Sequence, residues 1–217
     1  SVCDDCVQEL FSEGDRRYCY PFITCTHCGP RFTVTRHLPY DRPQTSMSAF
    51  LLCPQCATEY ASPPDRRFHA QTTCCPACGP RLTLSNMQGE PMEGDCIAQT
   101  VKLLQAGAII AIKGLGGFHL ACNARDAGAV ARLRRAKNRE AKPFAVMVAN
   151  VQSLHAFASV STTERELLES QERPVVLLNT LATTGIEPHF PGVADGLSTV
   201  GAMLPVTPIH YLLWHEA

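Results

Sequence analysis

The chain has 217 residues, enough for one domain of medium size together with small modules. Its 19 Lys and Arg residues nearly balance its 20 Asp and Glu residues, whereas nucleic-acid binders of this size usually carry a clear basic excess that neutralises phosphates. No apolar run reaches the roughly 18 residues of a membrane span, and no secretory signal opens the chain. We therefore expect no membrane segment, and nucleic-acid binding is disfavoured.

Twelve cysteines are many for a chain of this length and indicate either disulfides or metal ligands. Eight of them form two C-x2-C-x18-C-x2-C units that repeat at a shift of 50 residues: Cys3, Cys6, Cys25 and Cys28, then Cys53, Cys56, Cys75 and Cys78. An Asp-Arg-Arg-aromatic segment and a Cys-Gly-Pro-Arg segment recur at the same shift. This extended match indicates a duplicated unit.

The spacing of each unit is typical of structural zinc. Two residues between cysteines allow a tight turn to aim both thiolates at one ion, and two such pairs complete a closed tetrahedron. Gly29 and Gly79 follow the second pair, where we expect a knuckle turn with positive φ. Iron–sulfur clusters and disulfides are the alternatives. The other cysteines, and the His69 that aligns with Cys19, are expected in packing or surface roles: Cys19, Cys74, Cys96 and Cys122.

Beyond a polar linker over residues 86–95, strands alternate with helices. We predict helices over about 95–107 and 126–137, further helices beginning at Asn150, Ser161 and Thr207, and strands over 108–112, 118–122, 144–148 and 174–178. Ser161 and Glu164 match a capping box. Residues 180–198 are predicted to form a loop. This alternation predicts an α/β layer with a mixed or parallel sheet.

A glycine-rich segment after the first predicted strand is one candidate binding element. It is neither a dinucleotide fingerprint nor a P-loop, because the glycine and Gly-Lys-Ser/Thr positions do not match. Its backbone N–H groups can nevertheless approach a ligand closely, and His119 can be either a substrate contact or a hydrogen-bonded core residue. The alternative is a tight turn between strands. The candidate residues are Lys113, Gly114, Gly116, Gly117 and His119.

A basic run at the end of the second predicted helix is the other candidate: Arg132, Arg134, Arg135, Lys137, Arg139 and Lys142. Cations at a helix C-terminus also gain dipole energy on a solvated face, which is the alternative interpretation. Lysine and arginine are natural partners of phosphate oxygens, and the run precedes a buried strand. It is therefore a candidate phosphate site.

The paired fingers resemble the zinc-finger module of the hydrogenase-maturation carbamoyltransferase family, HypF. The segment over residues 113–124 resembles the start of that family's YrdC-like domain, and Lys137-Asn-Arg139 followed by Lys142 is similar to its Lys-x-Arg signature. The resemblance covers essentially the whole chain. It implies two four-cysteine fingers, at 1–40 and 41–90, followed by a YrdC-like α/β domain with a twisted mixed sheet over 91–217, incomplete at its C-terminus.

The resemblance also implies an activity. The family passes a carbamoyl group from carbamoyl phosphate to the C-terminal cysteine of a partner, HypE, and the YrdC-like domain joins carbamate to AMP from ATP. It implies catalytic roles for Lys137 and Arg139 and nucleotide or substrate contacts from the Lys113–His119 loop and Lys142. The implied cofactors are two structural Zn²⁺ and Mg²⁺ with ATP, in a cytoplasmic enzyme.

Three function classes remain open at this point. The carbamoyl-adenylating enzyme is the first, and a YrdC-type enzyme making threonylcarbamoyl-adenylate for tRNA, or a zinc-finger nucleic-acid binder, is the second. The third gives the fingers a purely structural role as spacer or docking surface. The acylphosphatase-like and TsaD-like portions and a Ser-x-Asn-x-Ser segment of the family do not occur here. We therefore expect the chain, read as a fragment, to be inactive alone.

Overall fold

The computed structural model describes residues 1–139, 141–181 and 189–217. These residues form two compact units. The first contains residues 1–96, 114–117 and 207–215, and the second contains residues 97–113, 118–206 and 216–217. No described helix is both long and apolar enough to cross a bilayer.

The first unit holds the cysteine repeats, each of which opens with a short helix. Helix α1 (Asp4–Leu10) begins directly after Cys3, and helix α2 (Pro54–Ala61) begins directly after Cys53. The first C-x-x-C pair of each repeat therefore spans a helix N-terminus, where i and i+3 side chains share a face and partial positive charge favours a thiolate. Three 3₁₀ turns lie between these helices: Phe32–Val34, Arg42–Gln44 and Ser46–Ala49.

The second unit alternates helices and strands as predicted. Its elements are α3 (Cys96–Gln105), β1 (Ile110–Lys113), β2 (Phe118–Ala121), α4 (Ala127–Ala136), β3 (Ala145–Met147), a 3₁₀ helix (Val151–Ala156), α5 (Thr162–Glu169), β4 (Val176–Asn179) and β5 (Thr199–Met203). Helix α6 (Pro208–Glu216) is the sixth α-helix of the described residues and belongs mostly to the first unit, which contains residues 207–215.

The strands form two sheets. Strands β1 and β2 pair antiparallel, with Lys113 opposite Phe118. The other sheet has the order β3-β5-β4, in which β3 runs parallel to β5 and β4 runs antiparallel to it. The mixed sheet that the sequence predicts is confirmed. Its central strand, β5, lies just beyond the predicted loop and was not predicted.

The core of the second unit covers this three-stranded sheet. Its buried members come from β3, β4, β5, the 3₁₀ helix, α5 and α4, and include Val146, Leu178, Ala202, Leu154, Leu168 and Val130. Strand β4 alternates buried and exposed side chains, with Leu178 fully buried and Leu177 66% exposed. One face of the sheet edge thus packs inward while the other meets solvent.

Two helices of this unit have side-chain caps, one of which was predicted. Asp126 accepts a hydrogen bond from the Ala129 backbone N–H at 3.0 Å. Ser161 and Glu164 form the predicted capping box, in which each side chain accepts a bond from the other's backbone N–H. Asn150 also caps its element, but that element is a 3₁₀ helix of 6 residues.

The capping box provides a test of the second unit's local energetics. Ser161→Ala leaves a helix N–H without its partner and is expected to lower the free energy of unfolding by about 1 kcal/mol. The effect is measured by urea denaturation at fixed zinc concentration. Thr163→Ala, at an exposed position of the same helix, is the matched control and should change stability by less than about 0.5 kcal/mol. Equal effects of the two substitutions would contradict a capping role.

Candidate metal centres and candidate nucleotide site

The structure brings the eight predicted cysteine ligands together as two separate clusters. In the first, the Sγ–Sγ distances are 3.5 Å from Cys3 to Cys25, 4.0 Å from Cys25 to Cys28, 3.6 Å from Cys28 to Cys3 and 3.7 Å from Cys28 to Cys6. The second cluster has the same form, with 3.8 Å from Cys53 to Cys75, 3.7 Å from Cys75 to Cys78 and 3.6 Å from Cys78 to Cys56.

These distances fit a tetrahedral zinc ion. A Zn–S bond of about 2.3 Å places the four sulfurs of a tetrahedron about 3.8 Å apart. A disulfide would instead bring two sulfurs to about 2.05 Å, and all twelve cysteines are free. Four sulfurs within 4.8 Å of one another are consistent with one metal in each cluster, hence with two zinc ions. Because four protein thiolates close the shell, the metal would be structural.

Electrostatics supports the same conclusion. Burial raises the pKa of the Cys3 thiol to about 11 and that of the Cys56 thiol to about 12. The four sulfurs of each cluster lie at contact distance, and four thiolates so close together need a nearby cation. A divalent metal supplies that charge and deprotonates its ligands. The backbone N–H of Cys56 already lowers the pKa of Cys53 to about 6.

The remaining cysteines of the first unit lie outside both clusters. Cys74 is buried, and its sulfur lies 3.4 Å from the Tyr20 hydroxyl and 3.7 Å from the Phe22 carbonyl. Cys19 is exposed, and both Cys19 and its repeat partner His69 have positive φ, at 53° and 50°. These two residues therefore share a backbone role in the repeat.

One predicted glycine role is wrong. Gly29 has φ of 76°, as a knuckle turn requires, but Gly79 does not have positive φ. Gly79 is needed for space, because a Cβ there would lie 2.2 Å from the Tyr20 hydroxyl and 2.7 Å from the Cys74 Cβ. Cys74 and the Tyr20 hydroxyl therefore occupy the space that a side chain at position 79 would need.

Each finger also sends an arginine pair into the other finger. Arg16 and Arg17 bind Glu59 at 2.6 and 2.5 Å, and at the same positions of the second repeat Arg66 and Arg67 bind Glu9. Burial acts to raise the pKa of the Glu59 carboxyl, but the bonds from Arg17 and Arg16 outweigh it and lower that pKa to about 2. The repeated Asp-Arg-Arg segment was identified in the sequence, but the arginine–glutamate pairing between the fingers was not predicted. The repeated Glu, three residues after the second cysteine, was the available signal.

The predicted glycine loop is the turn of a hairpin. Gly114 donates its backbone N–H to the Gly117 carbonyl at 2.7 Å. Lys113 Nζ lies 5.2 Å from the centre of the Phe118 ring on the neighbouring strand. His119 stands in β2 with its side chain exposed, so it is not a core histidine. The turn interpretation is therefore correct for the backbone, and a ligand role for Lys113, Gly114, Gly116, Gly117 and His119 stays a prediction.

The basic run lies where helix α4 ends. Asn138 has φ of 47° and donates its N–H to the Arg135 carbonyl, while Arg139 donates its N–H to the Arg134 carbonyl, both at 3.0 Å. This pair of bonds is a Schellman motif, for which Asn is an accepted left-handed residue. The motif turns the chain sharply, so that exposed Lys137 and half-buried Arg139 flank the turn.

The arginines of this run also hold the loop that follows. Arg139 donates to the Lys142 and Pro143 carbonyls at 3.1 and 2.6 Å, and Arg134 donates to the Gly192 carbonyl at 2.5 Å. Both guanidinium groups lie over the Phe144 ring, at 4.7 Å for Arg134 and 5.1 Å for Arg139. Arg139 thus braces the loop, whereas Lys137 and Lys142 are exposed.

A cavity of about 640 Å³ opens beside this helix end. Its lining is strongly basic and consists of Gly128, Ala131, Arg132, Arg134, Arg135, Asn138 and Arg139. Small residues on α4 leave room, and four guanidinium groups give a positive potential that favours an anion. The structure therefore describes two groups of candidate residues, the hairpin and the basic helix end.

Comparison with known families matches both halves of the chain. The Sua5/YciO/YrdC family model, described as Telomere recombination, matches residues 102–217. The model described as HypF finger matches twice, at residues 2–35 and 52–85. The second match lies on the second four-cysteine cluster as the first does on the first.

Two curated relatives match 100% and 98% of this chain. The chain is 60% identical over 218 residues to the carbamoyltransferase HypF2 of Cupriavidus necator and 52% identical over 215 residues to the carbamoyltransferase HypF of Synechocystis. It covers 27% and 28% of these relatives, so it spans little more than a quarter of their length.

Among solved structures, a full-length HypF in the phosphate- and nucleotide-bound form superposes with a TM-score of 0.88 at 49% identity, over 100% of this chain and 28% of that one. HypF of T. kodakarensis gives 0.92 at 45% identity, over 99% of this chain and 28% of that one. The two fingers match the model described as HypF finger, and the chain belongs to the Sua5/YciO/YrdC family.

Proposed function

We propose that the chain is the finger and adenylation segment of a hydrogenase-maturation carbamoyltransferase, and that it contributes the step joining carbamate to AMP. One observation carries the proposal: two HypF fingers and a Sua5/YciO/YrdC domain occur together along one chain, in the order found in HypF relatives at 45–60% identity. The fingers favour this reaction over threonylcarbamoyl-adenylate synthesis, because the resemblance to the tRNA enzymes does not include them.

The basic helix end suits the proposed chemistry. Adenylation brings an anionic carbamate to the α-phosphate of ATP while pyrophosphate leaves, so its barrier depends mainly on positioning and on neutralising crowded negative charge. Lys137 and Lys142 are exposed and would contact phosphate or carbamate oxygens. Arg139 lines the basic cavity and holds the loop, so it would both neutralise charge and keep Lys142 in place.

The hairpin is a second candidate anion-binding element. Gly116 and Gly117 would offer backbone N–H groups to an anionic oxygen, whereas the Gly114 N–H is bonded within the turn, and Lys113 and His119 flank the turn. Mg²⁺ would accompany ATP, held mainly by phosphate oxygens and water. The acceptor in this proposal is the C-terminal cysteine of a HypE-type protein, and the reaction takes place in the cytoplasm.

A segment exchange tests the proposal. This chain replaces the equivalent segment of the Cupriavidus necator relative, and pyrophosphate release dependent on ATP and carbamoyl phosphate is measured. The exchanged enzyme should stay active, and Lys137→Ala should lower the rate about a hundredfold, since a cation at the reacting phosphate is lost. Lys102→Ala, at an exposed position of α3, removes the same charge as a control and should leave the rate unchanged.

Two results would overturn the proposal. The first is pyrophosphate release with L-threonine and bicarbonate but not with carbamoyl phosphate, which would assign the chain to the tRNA-modifying class. The second is an unchanged rate for Lys137→Ala, which would remove this helix end from the site.

A further inference from the structure

The guanidinium groups that cross between the fingers do more than bind carboxylates. Arg66 of the second repeat places its Nη1 3.1 Å from the Cys6 sulfur of the first cluster. Arg16 of the first repeat places its Nη2 3.2 Å from the Cys56 sulfur of the second cluster. Cys6 and Cys56 are equivalent in the repeat, and both are fully buried. Each cluster therefore receives a short hydrogen bond from the other finger at the same ligand, with longer contacts from Arg17 to Cys56 at 3.5 Å and from Arg66 to Cys3 at 3.9 Å.

Carboxylates keep these arginines in position. Glu59 binds both Arg16 and Arg17, and Glu9 binds both Arg66 and Arg67. Arg17 is only 1% exposed and also donates to the Cys74 carbonyl at 2.8 Å. Such anchoring removes the side-chain freedom that a surface arginine retains, so that little entropy is lost when the guanidinium meets the sulfur.

The charge of a four-thiolate centre explains what this contact can do. Four thiolates around one Zn²⁺ leave a net charge of about −2 in a mostly buried position, which is costly without a compensating cation. Hydrogen bonds to coordinating sulfur and nearby positive charge stabilise such a centre, and loss of an outer partner typically costs about 10- to 100-fold in metal affinity. In both clusters that partner comes from the opposite repeat.

We infer that Arg66 and Arg16 are positioning residues for the metal centre of the opposite finger: Arg66 stabilises the Cys3–Cys6–Cys25–Cys28 centre, and Arg16 stabilises the Cys53–Cys56–Cys75–Cys78 centre. Arg66 lies in sequence between the second and third ligands of its own finger. If its role were purely local, its removal would weaken the metal centre of that finger. The inference instead predicts that removal of Arg66 weakens the metal centre of the opposite finger.

The experiment uses the whole zinc-loaded chain and resolves the two centres. Zinc transfer to a chromogenic chelator is followed while N-ethylmaleimide labels the released cysteines, and mass spectrometry reports labelling in each cluster separately. Arg66→Ala should accelerate zinc loss and labelling at Cys3, Cys6, Cys25 and Cys28 about tenfold, with the second cluster changed less than about twofold. Arg16→Ala should give the mirror result at the second cluster.

Two further variants keep the test decisive. Arg36→Ala removes an exposed arginine from the same unit and should leave both rates as in the wild type. Arg66→Lys retains the charge without the planar fork and should fall between Arg66→Ala and the wild type, which also covers the case in which the alanine variant folds poorly. Faster loss from the second cluster in Arg66→Ala, equal acceleration of both clusters, or no acceleration would each overturn the inference.

Discussion

Removal of zinc by excess chelator should abolish the ordered structure of both fingers and leave the three-stranded β3-β5-β4 sheet protected. The fingers contain two helices of only 7 and 8 residues, and half of their buried apolar residues are cysteines. So small a core cannot offset the chain entropy lost on folding, and metal binding supplies about 10–16 kcal/mol at a site of this kind. Hydrogen–deuterium exchange, with metal analysis in parallel, measures both parts of this expectation.

Two adjacent cysteines provide the matched control. Cys75→Ser removes a ligand and should lower the zinc content from two ions per chain to one. Cys74→Ser changes the neighbouring buried cysteine, which lies outside the cluster, and should retain two ions. Equal zinc contents in the two variants, or a finger region that stays protected after chelation, would contradict the proposed closed four-thiolate centres.

Leu178→Ala is expected to lower the free energy of unfolding of the second unit by about 2–5 kcal/mol. Leu178 is fully buried on β4, in the apolar cluster with Leu154 and Leu168. The substitution removes apolar contacts and leaves a cavity that the neighbouring strand β5 restricts from collapsing. Urea denaturation of the zinc-loaded chain, followed by hydrogen exchange on peptides from β4 and β5, measures the loss.

The neighbouring residue on the same strand is the control. Leu177 is chemically identical but 66% exposed, because side chains alternate along β4. Leu177→Ala should therefore change the stability by less than about 0.5 kcal/mol. A loss of the same size in both variants would show that strand propensity, not burial, sets the cost.

The repeat made the fingers predictable. A cysteine pattern with two fixed spacings restricts the backbone strongly, so the ligand sets could be assigned without a structure. The role of Gly79 could not be predicted, because its constraint is a close approach to Cys74 and to Tyr20, and Tyr20 lies far away in sequence. The same applies to Arg16 and Arg66, whose partners lie about 40 to 60 residues away in sequence.

Strand β5 shows what could not be predicted from the sequence of the second unit. Its sequence, Thr-Val-Gly-Ala-Met, contains a central glycine and alanine, which are poor strand signals. Gly201 is there for packing, since a Cβ would lie 3.1 Å from Val175 Cγ1. The candidate nucleotide-binding residues were proposed from residue type and resemblance, but the sequence did not indicate which of them contact the protein itself. Only the structure shows Arg139 occupied with the carbonyls of its own loop.

The reciprocal arginine–glutamate exchange has a consequence for how the duplicated fingers can exist. Contacts in which position i of one copy meets position j of the other, and j meets i, are those of an isologous two-fold dimer. The two fingers therefore contact each other as the subunits of a two-fold dimer do, although they belong to one polypeptide. The segment between them acts as a tether that raises the effective concentration of one finger near the other. A single finger cut from the chain would leave its buried arginine and its glutamate without partners and should associate with a second copy of itself.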